Sequence, residues 1–73
     1  DSTAALIRQC WEKLLGVEVN NYDTSFFELG GDSLMTIRFV DMLAEHNIQL
    51  DAKLIFVYQT ISELAAFLDK HQG

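Results

Sequence analysis

The sequence predicts an all-α protein: a four-helix bundle of three long helices and a short third one, with a long first loop. Three observations carry that prediction. Proline is absent from the 73 residues, so no ring breaks a helix from inside. Apolar residues recur at spacings of three and four in three separate stretches, whereas sustained alternation of the kind a sheet needs is missing. Thr60-Ile61-Ser62-Glu63 also reads as a capping box in front of the last apolar stripe.

The first helix starts at Asp1-Ser2-Thr3, which supplies N-cap residues. Leu6, Ile7, Cys10, Trp11, Leu14 and Leu15 then form one face, and Arg8, Gln9, Glu12 and Lys13 take the other. Gly16 follows the last apolar pair, where a C-cap glycine is expected. Cys10 and Trp11 lie on the apolar stripe and read as core residues. No basic or histidine residue is apparent beside Cys10 to lower its pKa, so a reactive thiol is not expected.

From Val17 to Gly31 the helical period is lost. Val17, Val19 and Tyr22 alternate with polar residues, but Asn20-Asn21 and Asp23-Thr24-Ser25 are turn and cap formers, and a strand here would have no partner. The segment reads as a long ordered loop pinned by Val17, Phe26, Phe27 and Leu29, with a short helical turn around Thr24 to Leu29. A long loop inside so small a protein points to function.

The second helix is expected from Leu34 to His46. Thr36, Phe39, Val40 and Leu43 make its core stripe. Leu34, Met35, Ile37 and Met42 do not all fit on that stripe, which leaves an apolar patch beside Ser33. Such a patch is either ordinary surface scatter or a docking surface to which methionine lends adaptability. Asn47 can end the helix in place of glycine, and His46 near that end suits the helix dipole.

Ile48 and Leu50 re-enter the core, and Asp51 can cap a short third helix through Ala52 to Val57. Leu54, Ile55, Phe56, Val57 and Tyr58 are five successive apolar or aromatic residues, too many for one helix to bury. One or two should be exposed near the second helix. The capping box then opens the last helix, with Ile61, Leu64, Ala65 and Leu68 inward and Phe67 beside them. Lys70 and His71 suit its C-terminal end, and Gly73 closes the chain.

Hydrophobic residues make up 49 % of the chain, which argues for one folded domain. Eleven acidic against five basic side chains give a net charge of −6. That disfavours nucleic acid and anionic membranes and favours partners with basic surfaces. One cysteine excludes an internal disulfide. The apolar runs are too short for a membrane span and no signal peptide is visible, so a cytoplasmic location is expected. The chain does not start with Met, which suggests a trimmed product or a domain cut from something longer.

The most informative stretch is Phe26-Phe27-Glu28-Leu29-Gly30-Gly31-Asp32-Ser33-Leu34. Its paired glycines give the backbone access to positive φ and let another molecule approach closely. Asp32 and Ser33 both cap helices well. If Asp32 takes the cap, the Ser33 hydroxyl is left free at the positive end of a helix dipole, a favourable place for a phosphate ester. If Ser33 takes the cap, it has no further role. A catalytic triad finds no support: no glycine follows the serine as in a nucleophile elbow, no strand precedes it, and His46 lies more than three turns away. His46 and His71 are too far apart in sequence to suggest a metal site.

Leu29-Gly30-Gly31-Asp32-Ser33-Leu34, preceded by Asp23-Thr24-Ser25-Phe26-Phe27, resembles the attachment motif of peptidyl carrier (thiolation) domains of nonribosomal peptide synthetases, within the acyl carrier protein family. The resemblance extends over almost the whole chain. It departs at Gln59, where the family usually has proline. It implies that Ser33 carries a covalent 4′-phosphopantetheine arm from coenzyme A, flanked by Gly30, Gly31, Asp32 and Leu34, and that the domain is a non-catalytic, monomeric carrier. Implied partners are a phosphopantetheinyl transferase and adenylation, condensation and thioesterase or release domains. Candidate docking residues are Leu34, Met35, Ile37, Arg38 and Phe56. The double glycine favours a peptidyl carrier over an acyl carrier for polyketide or fatty-acid assembly. A different class of reading is a helical adaptor in which Ser33 is only a cap.

Overall fold

The computed structural model describes residues 2–71, and the end roles expected of Asp1 and Gly73 fall outside that range. The chain forms α1 (Ser2–Leu15), α2 (Ser33–Ala44), a short 3₁₀ helix η1 (Ala52–Phe56) and α3 (Ile61–His71). No strand occurs among the described residues. α1 packs against both α2 and α3, and η1 packs on α2.

The core is built from the stripes. α1 buries Ala4, Ile7, Cys10 and Trp11, α2 buries Thr36, Phe39 and Leu43, and α3 buries Ile61, Leu64, Ala65 and Leu68. At its centre Trp11 meets Phe26 at a ring-centroid distance of 5.0 Å and Phe39 at 6.0 Å. Aromatic groups in tilted and edge contact add about 1 kcal/mol per pair beyond the area they bury. The pairing places Phe26, a loop residue, in the middle of the helical core. Trp11 Nε1 is buried without a hydrogen-bond partner among the described residues.

The element ends are chemically specified. Gly16 ends α1 at φ 69°, its amide bonded to the Glu12 carbonyl. Past α2, Asn47 takes φ 63° while its amide reaches the Ala44 carbonyl and the Ile48 amide reaches Leu43, the two bonds of a Schellman ending. That motif stops α2 at Ala44, two residues before the expected His46. Asp51 Oδ1 accepts from the Lys53 amide at 2.9 Å and caps η1. The Thr60 hydroxyl accepts from the Glu63 amide at 3.1 Å and donates to the Glu63 carboxylate at 3.2 Å. At the other end of α3, His71 Nδ1 lies 2.9 Å from the Phe67 carbonyl and the imidazole stacks on the Phe67 ring.

One expected anchor is corrected. Val17 does not pin the loop: it is 38 % exposed, whereas Val19 is 1 % exposed. The turn at Gly16 carries Val17 outward. Two residues on, the Glu12 carboxylate accepts the Val19 amide at 2.8 Å and holds that residue inward. Arg8 pairs with the same Glu12 oxygen at 3.3 Å, so one carboxylate joins two turns of α1 to the loop.

Candidate functional site

The Gly30–Ser33 ledge is the end of a single helical turn. Ser25 starts it: its hydroxyl accepts the Phe27 amide at 3.1 Å, and the Glu28 carboxylate accepts the Ser25 amide at 3.2 Å. Leu29 then bonds back to the Ser25 carbonyl. The turn closes with Gly30 N–H on the Phe27 carbonyl and Gly31 N–H on the Phe26 carbonyl, again a Schellman ending. The short turn expected around Thr24 to Leu29 is therefore present.

The two glycines do different work. Gly30 occupies the left-handed position at φ 107°, with open space where a side chain would be. Gly31 has no β-carbon because the Phe26 ring fills the space one would need. The close approach expected at this pair thus comes, at Gly31, from the protein's own core.

Asp32 takes the cap. Its backbone is extended and its Oδ1 accepts the Met35 amide at 2.9 Å, while its carbonyl accepts the Thr36 amide at 3.0 Å. Ser33 becomes the first residue of α2, exposed to solvent, and its hydroxyl has no hydrogen-bond partner among the described residues. The amides of Ser33 and Leu34 belong to the open first turn, with no acceptor of their own among those residues. An anion on the Ser33 oxygen would meet two unsatisfied N–H groups and the positive end of the α2 dipole. No histidine among the described residues is bonded to the hydroxyl. Thr36, a buried polar residue in the core, satisfies its hydroxyl on the Ser33 carbonyl at 2.6 Å.

Beside the hydroxyl lies the expected apolar patch. Leu34 and Phe56 are exposed, as are Ile37 at 55 % and Arg38. Met35 is only partly exposed and packs on the core, as does Met42, because both turn toward the α2 stripe. Val57, just past η1 and outside the expected docking residues, is 62 % exposed. Phe27 stacks on Phe56 with centroids 5.0 Å apart and planes at 20°, so the turn before Gly30 and η1 share one aromatic contact.

Cys10 is buried, and its thiol pKa is raised, first by burial and second by the Glu45 carboxylate; Lys13 offsets this in part. A basic neighbour does exist, contrary to expectation, but burial outweighs it. His46 is exposed just past α2. Among the described residues no group of His, Cys, Asp or Glu could hold a metal ion, and no helix is long and apolar enough to cross a membrane.

With this geometry in place, the chain can be set beside known proteins. A family profile described as "Phosphopantetheine attachment site" matches residues 5–68. A linear gramicidin synthase of Brevibacillus parabrevis is 43 % identical over 60 residues, 82 % of this chain and 1 % of that protein. Malpibaldin synthetase of Mortierella alpina is 37 % identical over 71 residues, 97 % of this chain and 1 % of that protein. The chain thus spans about one hundredth of the length of these relatives. Among solved structures, "Non Ribosomal PCP domain" superposes with a TM-score of 0.81 at 29 % identity, over 90 % of this chain and 86 % of that one. "Structure of McyG A-PCP complexed with phenylalanyl-adenylate" gives 0.84 at 32 % identity, over 93 % of this chain and 11 % of that one.

Proposed function

Because the chain belongs to the phosphopantetheine attachment site family, whose members carry 4′-phosphopantetheine, we propose that it is a peptidyl carrier domain of a nonribosomal peptide synthetase with the arm on Ser33. The observation that carries this reading is the division of labour between two neighbours: Asp32 caps α2, and the Ser33 hydroxyl is left exposed and unbonded. When bound, the arm supplies a thiol that holds an aminoacyl or peptidyl group as a thioester. The chain's own residues do the rest. Ser33 supplies the oxygen of the phosphodiester, and the Ser33 and Leu34 amides with the α2 dipole favour its negative charge. Gly30 adds no side chain to the open space beside it, and Gly31 lets the ledge sit against the Phe26 ring.

In this reading the 73 residues are one non-catalytic carrier domain in the cytoplasm, and the enzymes that act on the cargo are its partners. These are a phosphopantetheinyl transferase and adenylation, condensation and thioesterase or release domains. Likeness to a carrier solved in an A-PCP structure supports the adenylation partner. Leu34, Ile37, Arg38 and Phe56, with Met35 at the edge and Val57 added, form the docking surface. Its small apolar area suits weak, exchangeable contacts. Incubation with coenzyme A and a promiscuous transferase, followed by intact-mass measurement, tests the attachment. Aminoacyl against malonyl donors then test the peptidyl assignment.

A further inference from the structure

We infer that Gln59 is a positioning residue that holds the attachment turn against the docking face. Three segments meet on it. Its backbone carbonyl accepts the Phe26 amide at 2.7 Å. Its side-chain Oε1 accepts from the Ser25 hydroxyl at 3.1 Å, across 34 residues of sequence. Its Nε2 donates to the Phe56 carbonyl at 2.9 Å. Any residue could supply the carbonyl; the other two bonds need an acceptor and a donor on one side chain, which a carboxamide has.

The placement gives these bonds their consequence. Ser25 is the start of the turn that ends at Gly30 and Gly31, and its hydroxyl also accepts the Phe27 amide. Phe56 closes η1 and stacks on Phe27. Gln59 therefore ties the beginning of the turn to the end of η1, and the Phe27–Phe56 stack completes a closed loop of contacts. A partner that must reach Ser33 while touching Ile37 and Phe56 meets a surface already assembled. Without the carboxamide, the turn and η1 are joined by the stack and one backbone bond, and the partner must order them itself, which weakens binding rather than chemistry.

This inference rests on the reading of Ser33 as the attachment site, and the test separates the two. Gln59→Met keeps length and shape but makes neither side-chain bond; Gln59→Glu keeps the acceptor for Ser25 and loses the donor to Phe56. Amide hydrogen exchange on the unmodified protein reads the turn directly. In Gln59→Met, exchange at Phe26, Leu29, Gly30 and Gly31 should quicken about tenfold, the factor equivalent to about 1.4 kcal/mol, while Trp11 and Leu64 change far less. Gln59→Glu should show a smaller rise. With coenzyme A and the transferase, KM for Gln59→Met should rise severalfold at unchanged kcat. Wild-type exchange and KM in Gln59→Met would overturn the inference, as would a uniform quickening across α1, α3 and the turn. Failure of wild-type protein to accept the arm would instead overturn the attachment reading, and the exchange data would still judge Gln59.

Discussion

Gly31 lies so close to the ring of Phe26 that a β-carbon at Gly31 would overlap it. The Gly30–Ser33 ledge is thus pressed directly onto the aromatic centre of the core, where Phe26 meets Trp11. Stability of the core and shape of the ledge are linked through this one contact.

Gly31→Ala should therefore destabilise the protein by about 1–3 kcal/mol, the cost of overpacking a filled site. Gly30→Ala should cost about 1–2 kcal/mol for a different reason, the left-handed backbone at φ 107°. Urea unfolding measures both. An alanine at residue 31 as stable as wild type would show that the Phe26 ring moves aside freely.

Asp32→Ala should cost about 1 kcal/mol through loss of the bond to the Met35 amide, and Asp32→Asn should recover most of it. Ser33→Ala should change stability by less than about 0.5 kcal/mol, because its hydroxyl bonds to nothing among the described residues. A larger loss from Ser33→Ala than from Asp32→Ala would mean that the serine is the cap.

Much of this is legible in the sequence, and the exceptions share a cause. The three α-helices, the capping box at Thr60 and the Asn47 ending all depend on residues within five positions of one another, whereas the sequence leaves the cap of α2 open between Asp32 and Ser33 and the bond to the Met35 amide decides it. Val17 and Val19 look alike in sequence; what separates them is the Glu12 carboxylate reaching across from α1. The glycine pair signals a special backbone, but the reason for Gly31 lies in where Phe26 packs. Gln59 reads only as a departure from the family's usual proline, since its partner Ser25 is remote in the chain. Met35 is less exposed than a docking residue should be because helical spacing fixes a face and not its edges, whereas Phe56 and Val57 are the two exposed members expected of the apolar run from Leu54 to Tyr58.

Cys10 should react slowly with a thiol reagent at pH 8 in the folded protein and quickly once unfolded in urea. Its folded pKa is raised, so the neutral thiol is the form the fold accommodates. The sign follows: titration costs nothing below the ordinary thiol pKa and opposes folding increasingly above it. Equal rates in the folded and unfolded states would contradict the burial.

Ile37→Asp should leave unfolding unchanged within about 0.5 kcal/mol, since the side chain is largely in water. Loading by an adenylation partner should fall severalfold, and Val57→Asp should act in the same direction. Unchanged loading in Ile37→Asp would remove Ile37 from the proposed docking surface.

The central claim is that Ser33 carries the arm, and intact mass tests it most directly. Wild type and Ser33→Ala would be incubated with coenzyme A and a promiscuous phosphopantetheinyl transferase. A single added phosphopantetheine is expected on wild type and none on a folded Ser33→Ala. Addition to both would place the arm on another residue, and no addition to folded wild type would leave Ser33 an unmodified surface serine beside the Asp32 cap.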